Sequence, residues 1–143
     1  MITNNSQQTI AFGKKLSQSL KGGDILCLYG ELGAGKTTLV KGIAQGFGVK
    51  QDITSPTFAL MNVYDIKTLK HENIKTFVHI DTYRLKDGRE LVDIGVEDYL
   101  GAADTVCVVE WPEKIESLLR GKKVKKINIG HVGERERKII VEA

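Results

Sequence analysis

Cysteines and long apolar segments are scarce in this sequence, and each scarcity excludes a class of protein. Cys27 and Cys107 lie inside apolar segments without Cys-x-x-Cys spacing, which favours small buried residues over a redox or metal motif. No apolar run is long enough for a membrane helix, and the first residues do not resemble a signal peptide. The net charge of +3 is too small to indicate nucleic-acid binding by itself. We therefore expect a cytoplasmic protein without membrane contact, with residues 1–143 forming one domain.

Glycine, by contrast, is concentrated where it has a chemical use. The segment GELGAGKT fits the phosphate-loop pattern G-x-x-x-x-G-K-[ST] at every fixed position, and it stands between an apolar strand-like run and a helix-like segment. Glycines let backbone N–H groups approach a triphosphate, and the helix N-terminus attracts anions. Lys36 is expected to contact the β- and γ-phosphates of a nucleoside triphosphate, and the Thr37 hydroxyl to ligate Mg²⁺. The candidate nucleotide-binding residues are Gly30, Glu31, Leu32, Gly33, Ala34, Gly35, Lys36, Thr37 and Thr38.

Two further apolar segments each end in an acid, as a strand that carries a magnesium carboxylate does. Asp81 follows the apolar segment 74–80, and Glu110 follows four consecutive apolar residues, which is the stronger match to a Walker-B strand. We predict that Asp81 and Glu110 work together with Lys36 in catalysis, one carboxylate holding the metal and the other activating water. Glu110 is the predicted metal ligand beside Thr37. His79 shares a strand face with Asp81, but we interpret it as a structural histidine.

The remaining pattern predicts an α/β protein with the three-layer fold of P-loop NTPases. We expect a mixed, mainly parallel central sheet with an antiparallel hairpin portion. A first helix is predicted over about residues 6–20, with Ile10, Phe12, Leu16 and Leu20 on one face. Strands are predicted at 58–65 and 74–80, one or two short helices at 88–100, a last helix starting at Pro112, and a terminal hairpin from 124–130 and 135–142.

Several segments allow two interpretations. The hydroxyl-rich residues 54–58 suit either a switch that senses the γ-phosphate or a plain loop before a strand. Trp111 is interpreted as a core residue, and Arg84 as lying on an unanchored loop. A basic cluster suits RNA contact, but a sheet edge protected by lysines is the commoner arrangement; its members are Arg120, Lys122, Lys123, Lys125 and Lys126.

Five segments together resemble one family far more specifically than the phosphate loop does. GELGAGKTTL, TSPTF, HIDTYRL, DIGVEDYL and VVEWPEKI occur in the order and spacing of the bacterial TsaE family, also called YjeE. The resemblance runs from the first helix to the terminal hairpin. It implies a small cytoplasmic ATPase that supports threonylcarbamoyladenosine modification of ANN-decoding tRNAs. It assigns phosphates and Mg²⁺ to Lys36 and Thr37, the Walker-B role to Glu110, and a second acid to Asp81.

The partners come from the resemblance alone. In the family, TsaC makes threonylcarbamoyl-AMP, the TsaB–TsaD heterodimer performs the modification, and ATP hydrolysis is thought to reset that heterodimer. The resemblance also allows indirect contact with tRNA. Two other functions fit a phosphate loop: a small nucleotide or metabolite kinase, and a nucleotide switch that does not hydrolyse ATP. A GTPase is disfavoured because no Asn-Lys-x-Asp sequence is present.

Overall fold

The computed structural model describes residues 1–31, 33–50, 53, 61–66 and 73–142. Strands and helices alternate along the first part of the chain, and the described chain ends in a hairpin. The strands are β1 Ile2–Thr3, β2 Ile25–Tyr29, β3 Met61–Asp65, β4 Thr76–Asp81, β5 Thr105–Glu110, β6 Val124–Val132 and β7 Glu136–Glu142; the helices are α1 Ser6–Ser17, α2 Lys36–Gly46, α3 Arg89–Asp93 and α4 Glu116–Leu119, with 3₁₀ turns at Val96–Asp98 and Pro112–Ile115.

The described strands form one mixed sheet in the order β1-β7-β6-β2-β5-β4-β3. The inner pairs β6–β2, β2–β5 and β5–β4 are parallel, whereas the outer pairs β1–β7, β7–β6 and β4–β3 are antiparallel. The mixed sheet and both hairpins are confirmed. The prediction of a mainly parallel sheet holds for its centre alone: three of the six described pairs are parallel and three antiparallel, because hairpin strands, which need no crossover helix, extend the parallel core at both ends.

Helical segments cover both faces of the sheet. On one face, α1 and α2 pack over a core that includes Leu26, Leu28 and Val108. On the other, α3, the 3₁₀ turns and α4 pack over a core that includes Cys27 and Cys107. Strand β5 is buried at every position, which confirms its prediction as a central strand. The two cysteines are buried and unpaired, as predicted, and burial raises the pKa of Cys27 to about 11.

Helix α1 differs from its prediction in length and in the face it buries. It ends at Ser17, and its buried residues are Thr9, Gly13 and Ser17. The buried face is explained by a very close contact with α2: a Cβ on Gly13 would lie 2.7 Å from the Leu39 carbonyl oxygen, and one on Gly42 would lie 2.2 Å from that of Ile10. Small residues therefore form the interface, and the larger apolar residues of α1 pack beside it.

The basic cluster does not lie on a sheet edge. Strand β6, which carries Lys125 and Lys126, is hydrogen-bonded on both sides, to β2 and to β7. The edge interpretation is therefore wrong, because the terminal hairpin adds β7 and β1 outside β6. Lys125 instead forms an ion pair of 3.0 Å with Asp24 at the start of β2. Within the described ranges, no helix has the length and apolar character needed to cross a bilayer.

Candidate phosphate-binding site

The phosphate loop joins the end of β2 to the start of α2, as the sequence predicts. Gly33 and Gly35 adopt positive φ angles of 80° and 102°, in the left-handed region that favours glycine. Gly35 is the N-cap of α2, and no side chain caps the helix there. The first N–H groups of α2 are thus oriented toward the position of the loop, where the helix N-terminus favours an anion. Leu32 lies outside the described residues, as do residues 54–58 of the candidate switch.

Lys36 is buried at the start of α2, with only 4% of its surface exposed. Its Nζ donates a hydrogen bond of 2.5 Å to the Gly30 carbonyl and lies 3.4 Å from the centre of the Trp111 ring. Burial lowers the pKa of Lys36, while the carboxylates of Glu110, Glu113 and Asp81 oppose that shift. The chain therefore holds the ammonium by a carbonyl and a ring face, and an anionic ligand would compensate the remaining desolvation.

Trp111 is a site residue, so its interpretation as a core residue is wrong. It is half-buried, and its ring contacts the Lys36 ammonium and the Tyr83 ring, whose centre lies 5.0 Å from its own. Its φ of 60° places it in the left-handed region, the one non-glycine residue there in the described chain. Since such a conformation is strained for a residue with a Cβ, the turn after β5 is held by its surroundings. The Thr82 hydroxyl contributes by donating to the Trp111 carbonyl.

The two predicted acids are neighbours at the ends of adjacent parallel strands. Asp81 of β4 pairs in register with Glu110 of β5. The Glu110 carboxylate is 2% exposed and accepts hydrogen bonds from the Thr37 hydroxyl at 3.1 and 3.3 Å. His79 Nε2 lies 2.5 Å from Glu110 Oε2. His79, interpreted as a structural histidine, thus contacts the predicted metal ligand. The H-x-D spacing places it on the strand face of Asp81 and gives no signal for Glu110, which lies on the neighbouring strand.

Asp81 has a different environment from Glu110. Its Oδ1 accepts a 3.0 Å hydrogen bond from the Tyr83 N–H. Burial raises the pKa of Asp81, and the Glu110 charge adds to the rise; the Tyr83 N–H, His79 and Lys36 act in the opposite direction. A carboxylate with a raised pKa is a better proton acceptor, which is the property that a general base needs.

The turn that carries Arg84 is anchored, contrary to the prediction. Thr82 is fully buried, and its hydroxyl donates to the Glu110 carbonyl at 3.1 Å. Leu85 packs into the core with 6% of its surface exposed, and Lys114 donates to the Tyr83 carbonyl. The Arg84 side chain itself is exposed. The main chain is thus fixed by contacts with the turn after β5, which is distant in sequence and gave no local signal.

A second arginine lies beside the phosphate loop and was missed by the sequence analysis. Arg137 of β7 is half-buried, and its Nε lies 3.8 Å from the position of a Cβ on Gly35. Its guanidinium donates to the Glu136 carbonyl at 3.1 Å and makes no ion pair with a carboxylate of the described chain. Only the pairing of β7 with β6, and of β6 with β2, brings this residue to the loop.

The site fits magnesium in the way that nucleotide-bound magnesium is usually held. The described residues contain no group of three or more His, Cys, Asp or Glu side chains that would cage a metal ion. They do bring one hydroxyl, from Thr37, against one buried carboxylate, from Glu110. Mg²⁺ commonly takes one or two protein ligands and completes its shell with phosphates and water. The donor set therefore suits a metal that arrives with a phosphate ligand.

The described structure is an α/β protein in which a glycine-rich loop with the phosphate-loop sequence lies beside a central strand that ends in Glu110. A sequence profile of the family described as "Threonylcarbamoyl adenosine biosynthesis protein TsaE" matches residues 3–139. The chain therefore belongs to the TsaE family, whose members take part in tRNA threonylcarbamoyladenosine biosynthesis.

Individual relatives agree with the family assignment. The chain is 37% identical to the TsaE protein of Bacillus subtilis over 141 residues, which cover 99% of this chain and 83% of the relative. It is 38% identical to the TsaE protein of Treponema pallidum over 118 residues, covering 82% of each. A crystal structure of Bacillus subtilis YdiB superimposes with a TM-score of 0.74 at 33% identity, covering 99% of this chain and 82% of that one. The resemblance inferred from the motifs is thus confirmed.

Proposed function

We propose that this chain is a magnesium-dependent ATPase with a P-loop NTPase fold that acts on the TsaB–TsaD heterodimer in tRNA modification. The observation that carries the proposal is the contact between the Thr37 hydroxyl and the buried Glu110 carboxylate at the mouth of the phosphate loop. A plain glycine turn between a strand and a helix needs neither group. Participation in tRNA threonylcarbamoyladenosine biosynthesis follows from family membership. Hydrolysis of ATP and action on the TsaB–TsaD heterodimer belong to this proposal.

The residues divide the chemistry between them. The loop N–H groups and Lys36 bind the β- and γ-phosphates, and the Lys36 charge opposes the negative charge that develops during transfer. Thr37 and Glu110 would hold Mg²⁺, which when bound neutralises phosphate charge and orients the γ-phosphate. Asp81, with its raised pKa, is placed to orient and deprotonate the attacking water. We assign the metal to Glu110 because its carboxylate, unlike that of Asp81, contacts the Thr37 hydroxyl in the described structure.

Because the turn after β4 is already anchored, a partner protein would not stimulate hydrolysis by ordering its main chain. Docking cannot order a main chain that Thr82 and Leu85 already fix. The exposed Arg84 side chain remains free to contact either the partner or the transferred phosphate. We therefore propose that the isolated protein hydrolyses ATP slowly, and that the heterodimer accelerates it by placing side chains rather than by folding this turn. A well-placed arginine contributes about 10³–10⁵ in rate to phosphoryl transfer.

The decisive experiment is release of phosphate from ATP across a titration with purified TsaB–TsaD. Stimulated release of free phosphate supports the proposal. Radiolabelled phosphate recovered on a metabolite would instead identify a kinase, and ATP binding without turnover at any heterodimer concentration would identify a switch. Repeating the titration with Arg84→Ala and the exposed control Arg89→Ala tests the arginine: equal stimulation in both variants would remove Arg84 from the mechanism.

A further inference from the structure

His79 is a buried histidine that the proposed chemistry leaves without a task. It lies on β4, two residues before Asp81, and none of its surface is exposed. Its Nε2 lies 2.5 Å from Oε2 of Glu110, within hydrogen-bonding distance. A histidine in a protein core needs only some polar partner. The partner of His79 is the Glu110 carboxylate, which the proposed function assigns as a metal ligand.

The contact also fixes the direction of the hydrogen bond. A carboxylate accepts, so His79 Nε2 must carry the hydrogen and donate it. Nδ1 has no hydrogen-bond partner within the described ranges. His79 therefore donates from Nε2 to one oxygen of the Glu110 carboxylate.

Glu110 receives hydrogen bonds from two sides. Thr37 donates from the first turn of α2, and His79 donates from the neighbouring strand β4. Under the proposed function the Thr37 oxygen is also a magnesium ligand, and because it ligates through a lone pair its O–H can still donate to Glu110. His79 has no competing role, and its strand is held in register with β5 along its length. The histidine thus adds a second donor, on a strand fixed to β5, whose assigned role is to hold the carboxylate.

We propose that His79 is a positioning residue that keeps the Glu110 carboxylate turned toward the start of α2. The proposal rests on the proposed ATPase function and goes beyond it by adding a support for the metal ligand. Outer groups of this kind orient metal ligands, and their loss typically reduces metal affinity or activity about 10–100-fold. The alternative is a histidine that only fills space in the core.

Phe77 provides a matched control on the same strand. It lies two residues before His79 on the same face, it is fully buried, and its ring contacts are with Phe47 and Tyr64. A Phe77→Leu variant should therefore lower the melting temperature without reaching the site. Its effect measures what loss of core packing alone does to nucleotide binding and turnover.

The experiment compares His79→Leu, His79→Gln and Phe77→Leu with the wild-type chain. ADP affinity is measured by calorimetry in Mg²⁺ and in EDTA, together with kcat, KM and the melting temperature. We expect His79→Leu to lower kcat and the Mg²⁺-dependent gain in affinity about 10–100-fold, with affinity in EDTA within about threefold of wild type. His79→Gln, whose amide can donate, should recover part of the loss. Phe77→Leu should change only the melting temperature.

Two results would overturn the inference. One is a His79→Leu variant that behaves like Phe77→Leu, because its role would then be packing alone. The other is a folded His79→Gln variant no better than His79→Leu, because a donor would then not matter. Failure of the ATPase proposal is recognised separately: the wild-type chain would not bind nucleotide, or Lys36→Ala would bind as well as wild type, and the positioning role would fall with it.

Discussion

The phosphate loop has two flanks that differ in how far the chain satisfies its own charges. On the β5 side, the Glu110 carboxylate is buried and receives hydrogen bonds from Thr37 and His79. On the β7 side, Arg137 is half-buried, bonded to main-chain carbonyls, and has no carboxylate partner in the described part of the chain. On the β5 side the charged group is satisfied by hydrogen bonds from within the chain, whereas on the β7 side a cation is available to a ligand bound at the loop.

The difference indicates that the β5 side serves to hold a metal and the β7 side contributes to ligand affinity. A carboxylate fixed by internal donors keeps its position with or without ligand, which suits a group that must hold a metal at the reacting end. A half-exposed arginine gains most when an anionic or aromatic ligand arrives, which suits affinity rather than chemistry. The four substitutions below test this division, from the largest expected effect to the smallest.

Glu110→Gln should have the largest effect, on turnover. The amide keeps the shape of the side chain but loses the charge, so ATP should remain bound while phosphate release falls roughly 10²-fold or more. Single-turnover hydrolysis and calorimetry measure the two quantities on the same preparation. Normal hydrolysis in this variant would remove Glu110 from the site, and a more severe defect in Asp81→Asn would mean that the two acids exchange roles.

Lys36→Ala should come second, through binding. It removes a charge-assisted contact worth roughly 1.5–3 kcal/mol, which corresponds to about 10–100-fold in ATP affinity. Lys41→Ala is the matched control, because Lys41 is an exposed lysine on the same helix. Calorimetry in Mg²⁺ buffer should separate the two variants. Equal affinities for ATP would show that the loop is not the binding site.

Arg137→Ala tests the open flank and should have a smaller effect. Since the guanidinium is partly solvated, we expect a loss of roughly 2–10-fold in ATP affinity with kcat almost unchanged. Arg135→Ala, an exposed residue of the same hairpin, controls for the change in net charge. Steady-state kinetics give the split between KM and kcat. A fall in kcat equal to that of Glu110→Gln would abolish the distinction between the flanks.

The effect of Asp81→Asn on stability should be the smallest of the effects considered; its turnover should also fall, because the proposed general base is lost. Because burial raises the pKa of Asp81, the protonated form suits the folded state, and its stabilising contribution is lost as the pH rises through the folded pKa. Asparagine keeps an acceptor for the Tyr83 N–H without the charge. We expect it to stabilise the fold at pH 7 by less than about 1 kcal/mol. The melting temperatures should converge below about pH 3.9, the usual pKa of an aspartate; a lower value for Asp81→Asn at pH 7 would contradict this account.

The sequence predicted those features that depend on residues close to one another along the chain. The phosphate loop, the strands ending in Asp81 and Glu110, and both hairpins were found because glycine spacing and apolar runs act over a few residues. The joint action of the two acids was predicted from an acid at the end of each apolar segment, and they meet because β4 and β5 are parallel and paired in register. The family follows from combining five such segments in order.

What the sequence did not predict depends on contacts between distant segments. The contact of Trp111 with Lys36 arises because a strained turn after β5 places the ring over the loop. Arg137 reaches the loop only through the strand order β7-β6-β2, and β6 is internal for the same reason. No periodicity within one segment encodes these relations, since several strand orders satisfy the same pattern of buried residues.

The glycine contacts between α1 and α2 determine where motion can begin. With backbone against backbone at Gly13 and Gly42, neither helix can roll or slide without driving a side chain or carbonyl into its neighbour. The pair is therefore a rigid wall behind the loop, so a ligand bound at the loop meets a fixed surface on that side. A side chain introduced at Gly42 would shift the wall itself.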